Sequence, residues 1–346
     1  MKGRLILIDK VRQRPAAALL EDGQLQDLLI DPPDNLPLKG AVYRAVADRP
    51  VKGMGGIFVK IPDGKGFLRQ NAGIATGRPI LVQVTGTAEP GKAIPVTTRL
   101  LFKSRYAIVT PGAAGLNISR RIKDTDLRIG LERLASDGMA GCASDLGLIL
   151  RSACEAGDDH DIAADIAAMR SLAETICADL DGAPELLLEG ASAPDIAWRD
   201  WADPPPDTVE ERPGCFTDHA VDDMIEALLS PRIDLGSGAH IMMEPTRALV
   251  AVDVNTGPDT SPAASLKTNI AAARELPRQL RLRGLGGQVV MDFAPMPKRN
   301  RHILDQTLKA AFRRDSAETS LVGWTTLGLY ELIRKRDRIP LRELLV

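Results

Sequence analysis

The chain has 346 residues, 44% of them hydrophobic and 26% charged, with a formal net charge of −2. That length supports several subdomains with a buried core. The near-neutral charge excludes a global positive field, so a nucleic-acid partner would have to be met by local basic patches. No run reaches the roughly 18 apolar residues of a membrane span. The N-terminal MKGRLILIDKVRQRP is broken by Asp9 and Lys10, too early for a secretory leader. The four cysteines (Cys142, Cys154, Cys177, Cys215) form no CxxC pair. This argues against zinc and for reduced thiols in a cytoplasmic protein.

RLILID (4–9), AAALL (16–20) and the end of EDGQLQDLLID (21–31) read as three strands. The prolines of DPPDNLP then break structure. AVYRAVADR, GGIFVKI, KGFLRQ, ILVQVTG and IPVTTRLLF follow between residues 38 and 98. Five short strands with turn residues between them predict a small closed barrel of the OB type. RYAIVTP continues as a strand, 124–139 as a helix, LGLILRSA as a buried strand with a polar tip, and DIAADIAAMRSLAETICADL as a long amphipathic helix. APELLLEG reads as a short strand, the proline-rich DWADPPPDTVEERPG (200–214) as a surface loop and HAVDDMIEALLSP as a helix. The last third alternates. HIMMEPT and RALVAVDVN form a strand pair, about 263–283 a helix, GGQVVMDFAPM a strand, 298–314 a helix, and SLVGWTTLGLYEL a strand running into a final helix. Such alternation predicts an α/β (α+β multi-subdomain) chain.

Two aspartates carry the chemistry. Four apolar residues lead into Asp253, and Asn255 follows on the same face of a strand, where the side-chain period is two. Asp292 likewise ends an apolar strand, and the helix between is a natural crossover that would set the two strands side by side. Two adjacent carboxylates repel, and a hard divalent cation, Mg²⁺ or Mn²⁺, relieves that repulsion while binding phosphate oxygens. Strand capping by the same aspartates is the alternative that spacing leaves open, and Asp259 has little to support it as a third acid. Arg278, Arg281 and Arg283 precede the second strand. Lys298, Arg299 and Arg301 follow it, and Arg334, Lys335, Arg336 and Arg338 lie near the C-terminus. Each group suits a polyanion or, equally, a solvated helix face. In the barrel, Phe58 and Phe67 on neighbouring strands, with Lys52, Lys60, Lys65 and Arg69, form a platform for single-stranded nucleic acid, unless a ring belongs to the barrel core. Arg120 and Arg121 follow a glycine-rich loop. Arg151 beside Ser152 could clasp a terminal phosphate in a fork.

These segments, in this order and over nearly the whole chain, resemble the ribonuclease E/G family. AVDVNTG and TNIAAARELPRQLRLRGLGGQVVMDFAPM carry most of the likeness, with ISRRI, GKGFL, GKAIPVTT and LGLYELIRKR at matching places. The resemblance implies an RNase H-like subdomain (1–37 and 181–230) interrupted by an S1-type OB barrel (38–98) and a 5′-sensor region (99–180), then a DNase I-like catalytic subdomain (231–346). It implies Mg²⁺-dependent endonucleolytic cleavage of single-stranded RNA to 5′-phosphate and 3′-hydroxyl ends. Asp253 and Asp292 fall on its metal ligands, Asn255 on its supporting asparagine, Phe58, Phe67 and Lys92 on RNA-facing barrel residues, and Arg151 with Ser152 on its 5′-monophosphate reader. Departures are Ala271 for a glutamate, Pro295 for a second acid, and Glu318 on or beside a sensor arginine. They imply weak 5′-end sensing and leave a catalytically weakened RNA-binding scaffold as the alternative. A phosphodiesterase acting on DNA or a small phosphoester is a third reading. The zinc-link cysteines and small domain of longer members are absent, so a zinc-linked tetramer is not implied.

Overall fold

Continuous apolar runs, buried on both faces, build the first strands of the computed structural model, which describes residues 3–51, 55–62, 64–69, 73–88, 91–313 and 315–345. Strands β1 (Arg4–Val11), β2 (Arg14–Glu21) and β3 (Gln24–Ile30) form the expected meander. The barrel strands follow: β4 (Val42–Val51), β5 (Gly56–Ile61), β6 (Gly64–Leu68), β7 (Pro79–Val84) and β8 (Ile94–Thr97). Their order, β4-β5-β6-β8-β7, closes through β4–β7 pairing into an OB-like barrel. Inward-facing Ile57, Val59, Leu68, Val82 and Val96 fill it.

Next come β9 (Phe102–Lys103), β10 (Ala107–Pro111), β11 (Gly115–Ile118), α1 (Thr125–Gly138), β12 (Leu146–Leu150) and α2 (Asp159–Ala178). The sheet β11-β12-β10-β9 shares one core with both helices, built from Leu131, Ala135, Leu148, Leu150, Ile162 and Ile166. β13 (Glu185–Leu188) pairs with β4, and α3 (Ala193–Asp200) follows. Helix α3 was not read from the sequence, although Ser192 and Asp195 make a capping box and Pro194 sits in its first turn. The stretch expected to be only a loop contains β14 (Thr208–Glu211), which joins a four-stranded sheet of order β14-β1-β2-β3.

By internal contacts the chain divides into two compact units. Gly3–Ala17 with Leu29–Glu210 forms one, and Ala18–Leu28 with the chain from Glu211 onward forms the other. The second holds α4 (Cys215–Asp218), α5 (Val221–Leu228), β15 (Arg232–Gly236), β16 (Ala239–Pro245), β17 (Leu249–Asn255), α6 (Pro262–Leu282), β18 (Gly287–Asp292), α7 (Arg301–Phe312), β19 (Thr319–Trp324), β20 (Tyr330–Arg334) and α8 (Leu341–Leu344). A 3₁₀ turn, Lys298–Asn300, precedes α7. The six-stranded sheet runs β15-β16-β17-β18-β20-β19. Val252, Val254, Val289 and Met291 pack with Leu276 and Leu280 of α6 and Leu304 and Leu308 of α7, so both helices cover one face. The stretch 320–332, expected to run from strand into helix, is instead a hairpin: β20 alternates buried and exposed side chains and pairs antiparallel with β19. Among the described residues no helix is long and apolar enough to cross a membrane.

Candidate active site

Helix α6 is the crossover anticipated from the sequence. Ser261 caps it, accepting from the Ala264 amide at 3.2 Å, and Pro262 occupies its first position. It returns the chain so that β18 lies parallel to β17, with Asp253 and Asp292 as register partners. Their neighbours Val252, Val254 and Met291 are buried under the helices, so both carboxylates project from the opposite face and are exposed. Asn255 donates from Nδ2 to Asp253 at 2.8 Å, which orients that carboxylate. Neither aspartate forms an ion pair with a described residue. Two side-by-side anions without a protein cation are the donor set a hard divalent ion fits. No third acid, histidine or cysteine among the described residues joins them in a closed ligand group. Pro295 is exposed, and Asp259 instead accepts the Ser261 amide at 2.9 Å in the turn before α6.

Asn269 holds the segment after Asp292, a role the sequence reading missed. It is fully buried on α6, donates to the Ala294 carbonyl at 2.9 Å and accepts from the Ala294 amide at 3.0 Å. Phe293, next to Asp292, packs on Trp324 and Tyr330 with ring centroids 5.6 and 6.3 Å away. Trp324 donates to Asp305 at 3.0 Å, and the Arg301 guanidinium lies 4.4 Å from its ring centroid.

Most of the basic residues expected to face a polyanion are structural. Arg278 pairs with Glu275 and donates to the Leu25 carbonyl. Arg281 and Arg334 both bind Asp315 at 2.7 Å, whose side chain is fully enclosed. Arg338 pairs with Asp27 at 2.5 Å. Arg283 is buried and donates to the Leu228 and Ser230 carbonyls, closing the C-terminal end of α5; burial pushes it down to about 10. Lys298, Arg299 and Lys335 stay exposed.

In the other unit, Phe58 and Phe67 are register partners on β5 and β6, with centroids 5.7 Å apart. Neither is buried, whereas Ile57, Val59 and Leu68 are, so the rings lie on the outer face rather than in the barrel core. Gly56 leaves the space over which the Phe67 ring lies. Lys60 and Lys65, exposed and directly opposite one another, share that face. Like charges so placed repel, and a phosphate would relieve them. Lys92 is exposed between β7 and β8, and Arg120 and Arg121 are exposed before α1. Lys52 lies outside the described residues.

Arg151 and Ser152 do come together at the tip of β12, but their donors are engaged. Arg151 binds Asp200 at 2.6 Å and the Ser104 carbonyl at 2.7 Å. Ser152 donates to Asp203 at 2.7 Å, with Arg121 3.5 Å from the same carboxylate. Burial pushes Asp200 up, but Arg199 and Arg151 pull harder and hold it below the usual carboxylate range. The open fork expected for a terminal phosphate is therefore filled by the protein's own acids. Glu318 is exposed beside β19 in the other unit.

A family model described as the Ribonuclease E/G family matches residues 102–209 and 206–337. Among curated relatives, ribonuclease E of Nostoc sp. (strain PCC 7120) is 29% identical over 388 aligned residues, covering 96% of this chain and 56% of its own length. Ribonuclease G of Salmonella typhimurium is 26% identical, covering 96% of this chain and 80% of its own. Ribonuclease G of Escherichia coli K12 is also 26% identical, with coverage of 98% and 81%. The chain thus spans little more than half of the Nostoc protein and about four-fifths of the two ribonucleases G.

Proposed function

Because this chain belongs to the ribonuclease E/G family, we propose that it is a divalent-metal-dependent endoribonuclease of RNA processing or decay. It cuts single-stranded RNA to 5′-phosphate and 3′-hydroxyl ends. The observation that carries this reading is the exposed pair Asp253 and Asp292, in register on parallel strands and without a protein counter-cation.

Asp253 and Asp292 would hold one Mg²⁺, which when bound supplies an activated water and neutralises charge developing on the phosphate. Asn255 holds the Asp253 carboxylate by its hydrogen bond from Nδ2. Asn269 and the Phe293 cluster keep the end of β18 in place. Phe58 and Phe67 would stack on bases, with Lys60, Lys65, Lys92, Arg120 and Arg121 meeting backbone phosphates. Arg151 and Ser152, already satisfied by Asp200 and Asp203, contribute little 5′-end discrimination.

The test is cleavage of an internally labelled, AU-rich single-stranded RNA with Mg²⁺ and with EDTA, beside the matched DNA. Mg²⁺-dependent cutting of RNA alone, with 5′-phosphate products, is expected. RNA binding without cleavage would establish a scaffold instead, and cleavage of DNA at an equal rate would remove the ribonuclease reading.

A further inference from the structure

One imidazole shares the sheet face of the carboxylate pair. His240 on β16 is the register partner of Asn255, and Met242, two residues on, is the partner of Asp253. Directly opposed residues of antiparallel strands point to the same side. His240 and Asn255 therefore form one row, and Met242, Asp253 and Asp292 the next, on the sheet face opposite α6 and α7.

The ring is also oriented. Nδ1 lies 3.2 Å from the Gly238 carbonyl, which can only accept, so Nδ1 carries the hydrogen. In the neutral ring this leaves the Nε2 lone pair free. His240 makes no other hydrogen bond or ion pair with a described residue. Gly238 is itself held in place. It has φ +82, and a Cβ there would come within 3.1 Å of Pro258; a Cβ on Gly257 would come within 2.7 Å of the Gly238 carbonyl. The loop leaving Asn255 thus rests on the turn that anchors the imidazole.

We infer that His240 is a further catalytic residue of this site, its Nε2 taking the proton from the attacking water. The inference rests on the hydrolytic reading above. The water O–H bond breaks and its proton passes to Nε2. The water oxygen bonds to phosphorus as the bond from phosphorus to the 3′ oxygen breaks, and that oxygen takes a proton from solvent. Charged groups facing the imidazole are Asp234, its register partner on β15, and Asp253 diagonally across on β17. His240 forms no ion pair with any of them.

The experiment compares wild type, His240→Gln, His240→Ala and Asp253→Asn with Mg²⁺ and single-stranded RNA, reading kcat and KM from pH 5.5 to 8.5. RNA binding in EDTA serves as the control for folding. Both His240 variants are expected to bind RNA as wild type does, to keep KM within about two-fold, and to lose on the order of 10²-fold in kcat. Whatever pH dependence of kcat comes from proton uptake by this imidazole should be lost in both variants. If wild type cleaves, Asp253→Asn does not, and His240→Gln keeps kcat within three-fold with its pH profile intact, the role of His240 is overturned alone. If Asp253→Asn cleaves like wild type, the metal reading falls and this inference with it.

Discussion

Replacing Asn269 with alanine tests how the end of β18 is held. The side chain is fully buried and makes a reciprocal pair of hydrogen bonds to Ala294, which is itself 5% exposed. Asn269→Ala strands both a buried amide and a buried carbonyl. Each unsatisfied group costs about 1–3 kcal/mol, so the loss should be about 2–6 kcal/mol. Trp324 is the sole tryptophan of its unit and touches Phe293, so a Trp198→Phe, Trp201→Phe background makes it a local reporter. With a urea slope of about 2 kcal/mol per molar, the Trp324 transition should fall by ~1–3 M. Asn269→Asp retains the acceptor for the Ala294 amide but buries a charge and leaves the carbonyl unpaired, so it should be at least as damaging. A loss below about 0.5 kcal/mol would refute the pinning of this segment by Asn269.

Three further outcomes follow from the geometry. Phe58→Ala and Phe67→Ala should each weaken single-stranded RNA binding by about 1–3 kcal/mol, measured by anisotropy, while melting stays unchanged because both rings lie outside the barrel core. Asp27 sits below the ordinary carboxylate value of 3.8: burial raises it, but Arg338 and Arg281 outweigh burial. A depressed folded pKa gives stability that is present above 3.8 and lost as pH falls through the folded value. The Trp324 urea midpoint should therefore drop steeply below pH 4, and Asp27→Asn should flatten that drop; an identical pH dependence in the variant would contradict the pairing. Because Asp200 and Asp203 occupy the donors of Arg151 and Ser152, cleavage should favour 5′-monophosphate over 5′-hydroxyl RNA by less than about three-fold, and a larger preference would show that phosphate displaces those acids.

The legible parts of this chain are those where short-range pattern and tertiary environment agree. Asp253 and Asp292 could be read because each closes an apolar strand and the intervening stretch has helix signals at both ends, so the crossover and its parallel pairing follow. The barrel was legible because each strand is short, alternating and followed by turn residues. Arg281, Arg334 and Arg338 read as exposed basic residues because their partners Asp27 and Asp315 are distant in sequence and nothing local announces them. Burial of Arg334 also explains the misread hairpin: β20 turns an arginine inward, so its alternation looks like the charged end of a helix. His240 lies near the start of β16 in no motif, and only the β16–β17 register sets it opposite Asn255, on the face of the carboxylates.

The most direct measurement is single-turnover cleavage of single-stranded RNA in Mg²⁺ by wild type, Asp253→Asn and Asp292→Asn, each confirmed folded by its unchanged RNA affinity. The account predicts a loss on the order of 10³-fold or more for either variant, since removing one carboxylate dismantles the divalent-ion site. Cleavage by either variant at the wild-type rate would contradict it.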